Sequence, residues 1–263
     1  MIKLIVTDLD GSLLTDDKQI PPDFWDIIKQ LQARGIVFVL ASGRPYQGML
    51  RQFEPLKPYA YFASDNGSYL LHNEDVLLTN ALLHEDVAKF ASIARPIPDT
   101  VAIACGRELA YMEPCNDELK KVALQYYQRY EIVYDLSSVT DTILKISICD
   151  IKGSAENSFP HFEPFAKDYK IAVSGKVWLD ITSATANKGT AIKYLQEWLG
   201  ISPDETLAFG DYMNDLELLQ SAKYSYAMKN AEPQVAAVAN FMTEKTNNEY
   251  GVTETIKQIM QLG

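Results

Sequence analysis

A chain of 263 residues, 47% of them hydrophobic, has enough apolar mass for one large or two modest cores and the composition of a water-soluble globular protein. Its formal net charge of −11, from 35 acidic against 24 basic residues, argues against nucleic acid and anionic membranes as partners. An anionic substrate stays possible, because a divalent cation held where acids gather inverts the local electrostatics.

In chain order, the apolar run 2–6 predicts a buried strand over 2–7. It ends at Asp8-Leu9-Asp10-Gly11-Ser12, which sets two carboxylates at i and i+2 where open α/β sheets place their reactive groups. Such a pair repels itself and needs a cation, a proton or a hydrogen-bond cradle. Acids at these positions also interrupt the apolar stretch that a signal peptide requires, so a cytoplasmic protein is expected. Pro21-Pro22 opens a helix carrying Phe24, Ile27, Ile28 and Leu31 at helical spacing, and Gly35 ends it. The run 36–41 predicts a buried parallel strand and is far too short to span a bilayer. A third strand over 59–63 leads into the turn Ser64-Asp65-Asn66-Gly67, and residues 68–79 predict a hairpin around 72–75.

Residues 83–185 lose this beat. Strands over 101–105, 132–134 and 143–149 alternate with helices near 84–94 and 115–130, which reads as an α+β insertion. Tyr126, Tyr127 and Tyr130 are taken as the packing face of the second of these helices. Cys105, Cys115 and Cys149 are odd in number and lack a CxxC spacing, so free thiols are expected. His72, His84 and His161 match no metal-ligand spacing and are read as surface or hairpin residues. Arg107 and Tyr111 fall in a turn of the insertion and are candidates to face a leaving group. The α/β pattern resumes with a helix over 187–199 ending at Gly200, a strand over 207–210, Asp211, a helix over 215–222 and a strand over 224–228. Pro233 suits the first turn of a further helix, and 252–262 forms the last. The expected architecture is a Rossmann-like α/β core with a parallel sheet and helices on both faces, made of 1–82 and 186–263 and interrupted by 83–185.

Four short elements fall at strand ends or helix starts of this core: 8–12, Ser42-Gly43-Arg44, Lys188 and 210–215. Together they resemble the haloacid dehalogenase-like (HAD) hydrolase superfamily, in its Cof-type phosphatase subgroup. Asp8 to Leu13 matches the first motif, Ser42 to Pro45 the second, Asn187-Lys188-Gly189 the third and Gly210 to Asp215 the fourth. Asp65-Asn66-Gly67 and Asn230-Ala231 also sit where the subgroup has them. The resemblance covers the whole core and implies that 83–185 is an α+β cap that selects substrate.

It further implies a Mg²⁺-dependent phosphatase for small soluble phosphate monoesters, sugar phosphates above all. Asp8 is the nucleophile that forms an aspartyl-phosphate, and Asp10 is the general acid and base, a role that needs a raised pKa. Mg²⁺ is expected on the Asp8 carboxylate, the Asp10 carbonyl and the Asp211 carboxylate, with Asn214 and Asp215 completing or orienting that shell. Leu9, Ser42, the Gly43 N–H, Lys188 and Asn214 are the phosphate-binding positions, with Lys188 adding charge stabilisation. Arg44 joins them either as a substrate contact or as a structural ion pair to the acids. A sugar phosphomutase or phosphotransferase, and a receiver-like phosphoacceptor domain, are the competing readings. Neither a monomer nor a homodimer is singled out.

Overall fold

A computed structural model describes residues 1–73, 75–107, 109–127 and 129–262. Position 74 of the expected hairpin and position 128 of the expected 115–130 helix lie outside the described residues. The chain forms two compact units, Met1–Thr79 with Asn187–Gly263, and Asn80–Ala186. Residues 80–82 belong with the second unit because Leu82 is buried in its core and donates its N–H to the Ile143 carbonyl at 2.8 Å.

The first unit begins with β1 (Leu4–Thr7), α1 (Phe24–Ala33), β2 (Val37–Ala41), α2 (Tyr46–Phe53), β3 (Tyr61–Ser64), β4 (Tyr69–His72) and β5 (Asp75–Thr79). The second unit holds α3 (His84–Ala94), β6 (Thr100–Gly106), β7 (Ala110–Met112), α4 (Asp117–Ala123), β8 (Tyr130–Ile132), β9 (Ile143–Asp150), α5 (Phe159–Phe162), β10 (Tyr169–Gly175) and β11 (Trp178–Ser183). The first unit closes with α6 (Lys188–Leu199), β12 (Thr206–Gly210), α7 (Leu216–Gln220), β13 (Tyr224–Ala227), α8 (Pro233–Ala236), β14 (Phe241–Met242) and α9 (Gly251–Met260).

Among the described residues the first unit's sheet has eight strands in the order β14-β13-β12-β1-β2-β3-β4-β5. The strands from β14 to β3 run parallel, and β4 and β5 add the expected antiparallel hairpin. Alternation along the strands feeds two cores, as a sheet covered on both faces demands. Ile5, Phe38, Leu40 and Phe209 pack on Phe24, Ile27 and Leu31 of α1. Leu4, Val6, Val39 and Ala208 pack on Ala191, Ile192 and Leu195 of α6 and Leu218 of α7. The register pairs Thr7 with Leu40 on one side and Phe209 on the other, so the segments after β1, β2 and β12 emerge side by side.

The second unit is a six-stranded sheet, ordered β10-β11-β9-β6-β7-β8 among the described residues. Val87, Phe90 and Ala91 of α3 and Phe162 of α5 bury against Ala104, Ile146, Ile148 and Leu179. Two expectations fail here. The helix over 115–130 stops at Ala123, and the strand placed at 132–134 occupies Tyr130–Ile132. Tyr126 and Tyr127 therefore do not form a helix face; their rings meet Trp178 edge-on at 5.1 and 5.9 Å. The three cysteines are free thiols, as expected. No helix of the described residues is long and apolar enough to cross a membrane.

Candidate active site

The site lies in the first unit, where the segments after β1, β2 and β12 meet the start of α6. After β1 the chain reverses through Gly11, which holds φ at +87°. A Cβ there would fall 2.2 Å from Asp211 Oδ2, so both the turn and the approach of Asp211 require glycine. Asp8 is buried at this turn, and Leu9 points fully into the hydrophobic core, so only the Leu9 backbone can serve a ligand.

Lys188 opens α6 behind Asn187, whose side chain caps the helix by accepting the Thr190 N–H at 2.8 Å. The ammonium has no exposed surface and donates to Asp8 Oδ1 at 2.5 Å and Asp215 Oδ1 at 2.6 Å. Burial opposes its charge, but Asp215 and Asp8 outweigh that and hold its pKa above the ordinary lysine value. The second oxygen of Asp215 accepts the N–H groups of Asp211 and Tyr212 at 3.0 and 3.2 Å. Both Asp215 oxygens thus serve protein donors, which makes it a brace for Lys188 and for the Asp211 loop.

Oxygens of Asp8, Asp211 and Asp215 lie within 4.8 Å of one another. Burial pushes the Asp8 carboxyl well up despite Lys188, and Asp215 and Asp211 raise it further. Burial and Asp215 push Asp211 up to about 6, although Ser12 Oγ donates to it at 2.9 Å. Lys188 serves the buried Asp8 and Asp215, and the half-buried Asp211 adds a third carboxylate beside them, so the cluster is short of positive charge. An all-oxygen donor set with that deficit fits a hard divalent cation such as Mg²⁺.

Asp10 behaves differently from the expectation. Its side chain is not free: it accepts Arg44 Nε at 2.7 Å and Nη2 at 2.6 Å, and it pairs with Lys18 Nζ at 2.8 Å. Burial alone would raise its pKa, but the hydrogen bonds from Arg44 and Lys18 bring it below the usual carboxylate range. The raised pKa that an acid role needs is absent in this arrangement, and Arg44 takes the ion-pair alternative. Ser42 Oγ accepts the Arg44 N–H at 3.1 Å, and Asn214 Nδ2 donates to Asn66 Oδ1 at 2.8 Å. A cavity of about 400 Å³ opens over these groups, lined by Asp8, Asp10, Ser42, Gly43, Arg44, Asp211, Tyr212 and Asn214.

Tyr111 on β7 donates its hydroxyl to Asp141 at 3.2 Å within the second unit, where Arg107 also lies. His72 stacks on Tyr61 at 4.3 Å, His84 opens α3 and His161 lies in α5. Sequence reasoning gave no role to Lys18, Asn66 or Asn230. Lys18 reaches Asp10 from a left-handed position, at φ 61°, for which periodicity offers no signal. Asn230 donates to the Gly11 carbonyl at 2.8 Å and accepts the Asn247 N–H at 3.0 Å, tying down the first turn. Its place in an Asn-Ala pair was the available signal.

A family model described as haloacid dehalogenase-like hydrolase matches residues 5–256. The chain is 30% identical over 271 residues to the 5-amino-6-(5-phospho-D-ribitylamino)uracil phosphatase YbjI of Escherichia coli, covering 99% of this chain and 97% of that one. It is 27% identical over 291 residues to phosphatase YwpJ of Bacillus subtilis, covering 98% and 100%. The crystal structure of a haloacid dehalogenase-like hydrolase from Bacteroides thetaiotaomicron matches with a TM-score of 0.84 at 26% identity, over 98% of this chain and 100% of that one. The match runs from β1 into the last helix and takes in all four segments that converge on Asp8, and the chain belongs to the haloacid dehalogenase-like hydrolase family.

Proposed function

We propose that this chain is a Mg²⁺-dependent phosphatase that hydrolyses small phosphate monoesters through an aspartyl-phosphate on Asp8. The observation that carries the reading is the buried Asp8–Lys188–Asp215 chain beside Asp211, opening on a cavity large enough for a small ester. Mg²⁺ on the Asp8 and Asp211 carboxylates and the Asp10 carbonyl would offset the repulsion between these acids and a phosphate dianion.

In the first step an Asp8 oxygen attacks phosphorus, the P–O bond to the alcohol breaks, and the leaving alkoxide takes a proton from Asp10. Asp10 carries that proton only once Arg44 and Lys18 have left it. In the second step ionised Asp10 takes a proton from water, the hydroxide attacks phosphorus, and the bond to Asp8 breaks, releasing phosphate and restoring Asp8. The Ser42 hydroxyl, the Gly43 N–H and Asn214 bind the phosphoryl oxygens, and Lys188 stabilises charge passing through Asp8. The substrate class favoured is a phosphorylated sugar or sugar alcohol, since the Escherichia coli relative is named for a phospho-ribityl ester.

The test is phosphate release from p-nitrophenyl phosphate and a panel of sugar and sugar-alcohol phosphates, with Mg²⁺ and with EDTA, beside Asp8→Asn. Mg²⁺-dependent release that disappears in Asp8→Asn supports the reading. Accumulation of an isomeric phosphate ester in place of inorganic phosphate replaces it with a mutase, and a long-lived aspartyl-phosphate without turnover replaces it with a phosphoacceptor.

A further inference from the structure

Three consecutive residues after β3 hold left-handed backbone: Asp65 at φ 49°, Asn66 at φ 55° and Gly67 at φ 83°. Two of them carry a Cβ, and such a conformation persists only where its surroundings over-determine it. Each peptide of this turn engages a different part of the site. The Asp65 N–H donates to the Arg44 carbonyl at 3.0 Å, and the Asn66 N–H donates to the Ser42 carbonyl at 2.9 Å. Gly67 lies so close to the start of α6 that a Cβ would fall 2.3 Å from the Asn187 carbonyl, one residue before Lys188. The Asn66 side chain accepts from Asn214 Nδ2 at 2.8 Å, and its amide lies against Gly43, where a Cβ would meet Asn66 Oδ1 at 3.2 Å.

The peptide joining Ser42 to Gly43 gives this arrangement a direction. In a trans peptide the C=O and the N–H point opposite ways. With the Ser42 carbonyl held by the Asn66 N–H, the Gly43 N–H is aimed away from the turn. Gly43 lines the cavity, as do Ser42 and Asn214. One residue therefore fixes a backbone donor through its own backbone and a side-chain amide through its own side chain.

We infer that Asn66 is a positioning residue for phosphate: it aims the Gly43 N–H and orients the Asn214 amide toward the phosphoryl oxygens while touching neither substrate nor metal. This rests on the phosphatase reading above. Left-handed backbone explains why the position holds asparagine, which tolerates that conformation and supplies the acceptor.

Asn66→Gly separates the two functions, because glycine keeps the left-handed turn and its N–H while deleting the amide. The expected result is a loss of about tenfold in kcat/KM on p-nitrophenyl phosphate, the scale of one lost orienting hydrogen bond. Inorganic phosphate, measured by isothermal titration in saturating Mg²⁺, should weaken by a similar factor, while the half-saturating Mg²⁺ moves less than about twofold. Because Asn66 acts through Asn214, Asn66→Gly in an Asn214→Ala background should change kcat/KM and phosphate affinity by less than about twofold. A merely structural role would instead lower the melting temperature in both backgrounds and give factors that multiply. The inference is overturned by multiplying factors, by an equal loss of Mg²⁺ affinity, or by an Asn66→Gly variant that matches wild type. If turnover survives Asp8→Asn, the phosphatase reading falls on its own, and the phosphate titrations still decide the role of Asn66.

Discussion

Lys188→Met removes the ammonium that Asp8 and Asp215 share, at 2.5 and 2.6 Å, from a position with no exposed surface. Methionine keeps much of the aliphatic stem, so the change is one of charge more than of volume. Breaking a buried ion pair by deleting one partner costs about 3–5 kcal/mol, because the remaining charges stay buried without compensation. At about 2–4 °C per kcal/mol for a domain of this size, the metal-free melting temperature should fall by roughly 6–20 °C. The pH dependence has a fixed sign. Asp8 and Asp211 have folded pKa values above their unfolded ones, Asp211 at about 6, so each costs stability once pH rises through its folded value and costs none below its unfolded value. Without Lys188 both rise further, and the deficit of the variant should widen between about pH 5 and 8. Saturating Mg²⁺ should recover part of it by supplying positive charge to the same carboxylates. Turnover should drop by about 10²–10³, as for other removed charge-stabilising donors. The assay is circular-dichroism melting across that pH range with and without Mg²⁺, beside p-nitrophenyl phosphate kinetics. A metal-free deficit below about 1 kcal/mol, or one that grows as pH falls, would refute the account of Lys188 as counter-ion to the acids.

Other outcomes follow from single contacts. Half-saturating Mg²⁺, read from the thermal shift, should rise by at least about tenfold per unit below Asp211's value of about 6, since protons and metal compete for the Asp211 and Asp8 carboxylates, both held above their ordinary values. Gly11→Ala places a methyl 2.2 Å from Asp211 Oδ2 at φ +87°, and should cut kcat/KM by more than about 100-fold with Mg²⁺ affinity lost alongside. Phe90→Ala deletes a fully buried ring that meets Phe165 and Tyr169 edge-on at 5.7 and 4.8 Å, and should cost the second unit about 3–5 kcal/mol in urea unfolding. Trp178 is the tryptophan of that unit, so its fluorescence in a Trp25→Phe, Trp198→Phe background reports this loss.

The core was legible because its signals are local and redundant. The apolar runs at β1 and β2, the helix start near Lys188 and the stop at Gly200 each state one structure, and in the fold they agree. The acids and Lys188 were legible for a related reason, as they sit in fixed positions relative to strand ends and a helix start. The second unit was harder. Residues 115–130 carry apolar side chains at helical spacing, yet the helix ends at Ala123 and the rings of Tyr126 and Tyr127 pack on Trp178. Trp178 lies far along the chain from them, and no local pattern reveals it. β10 was missed although Tyr169, Ile171 and Val173 alternate with Lys170, Ala172 and Ser174. The tether on Asp10 was only half legible: an ion pair from Arg44 to the acids was one of its two expected roles, while Lys18 had none. Arg44 and Lys18 lie in separate turns, and only the folded chain brings both to one carboxylate.

The return of the chain from the second unit has a consequence for rebuilding this protein. The second unit ends at Ala186, the helix cap is Asn187, and the buried lysine is the next residue. No spacer lies between them, so whatever sequence replaces 80–186 must deliver its last residue to a fixed entry point or displace the ammonium that pairs Asp8 with Asp215. At the outgoing crossing, Thr79 ends a hairpin strand that carries none of the site residues. A chimera can therefore be lengthened or shortened at its first junction, while its second has to be spliced to the residue.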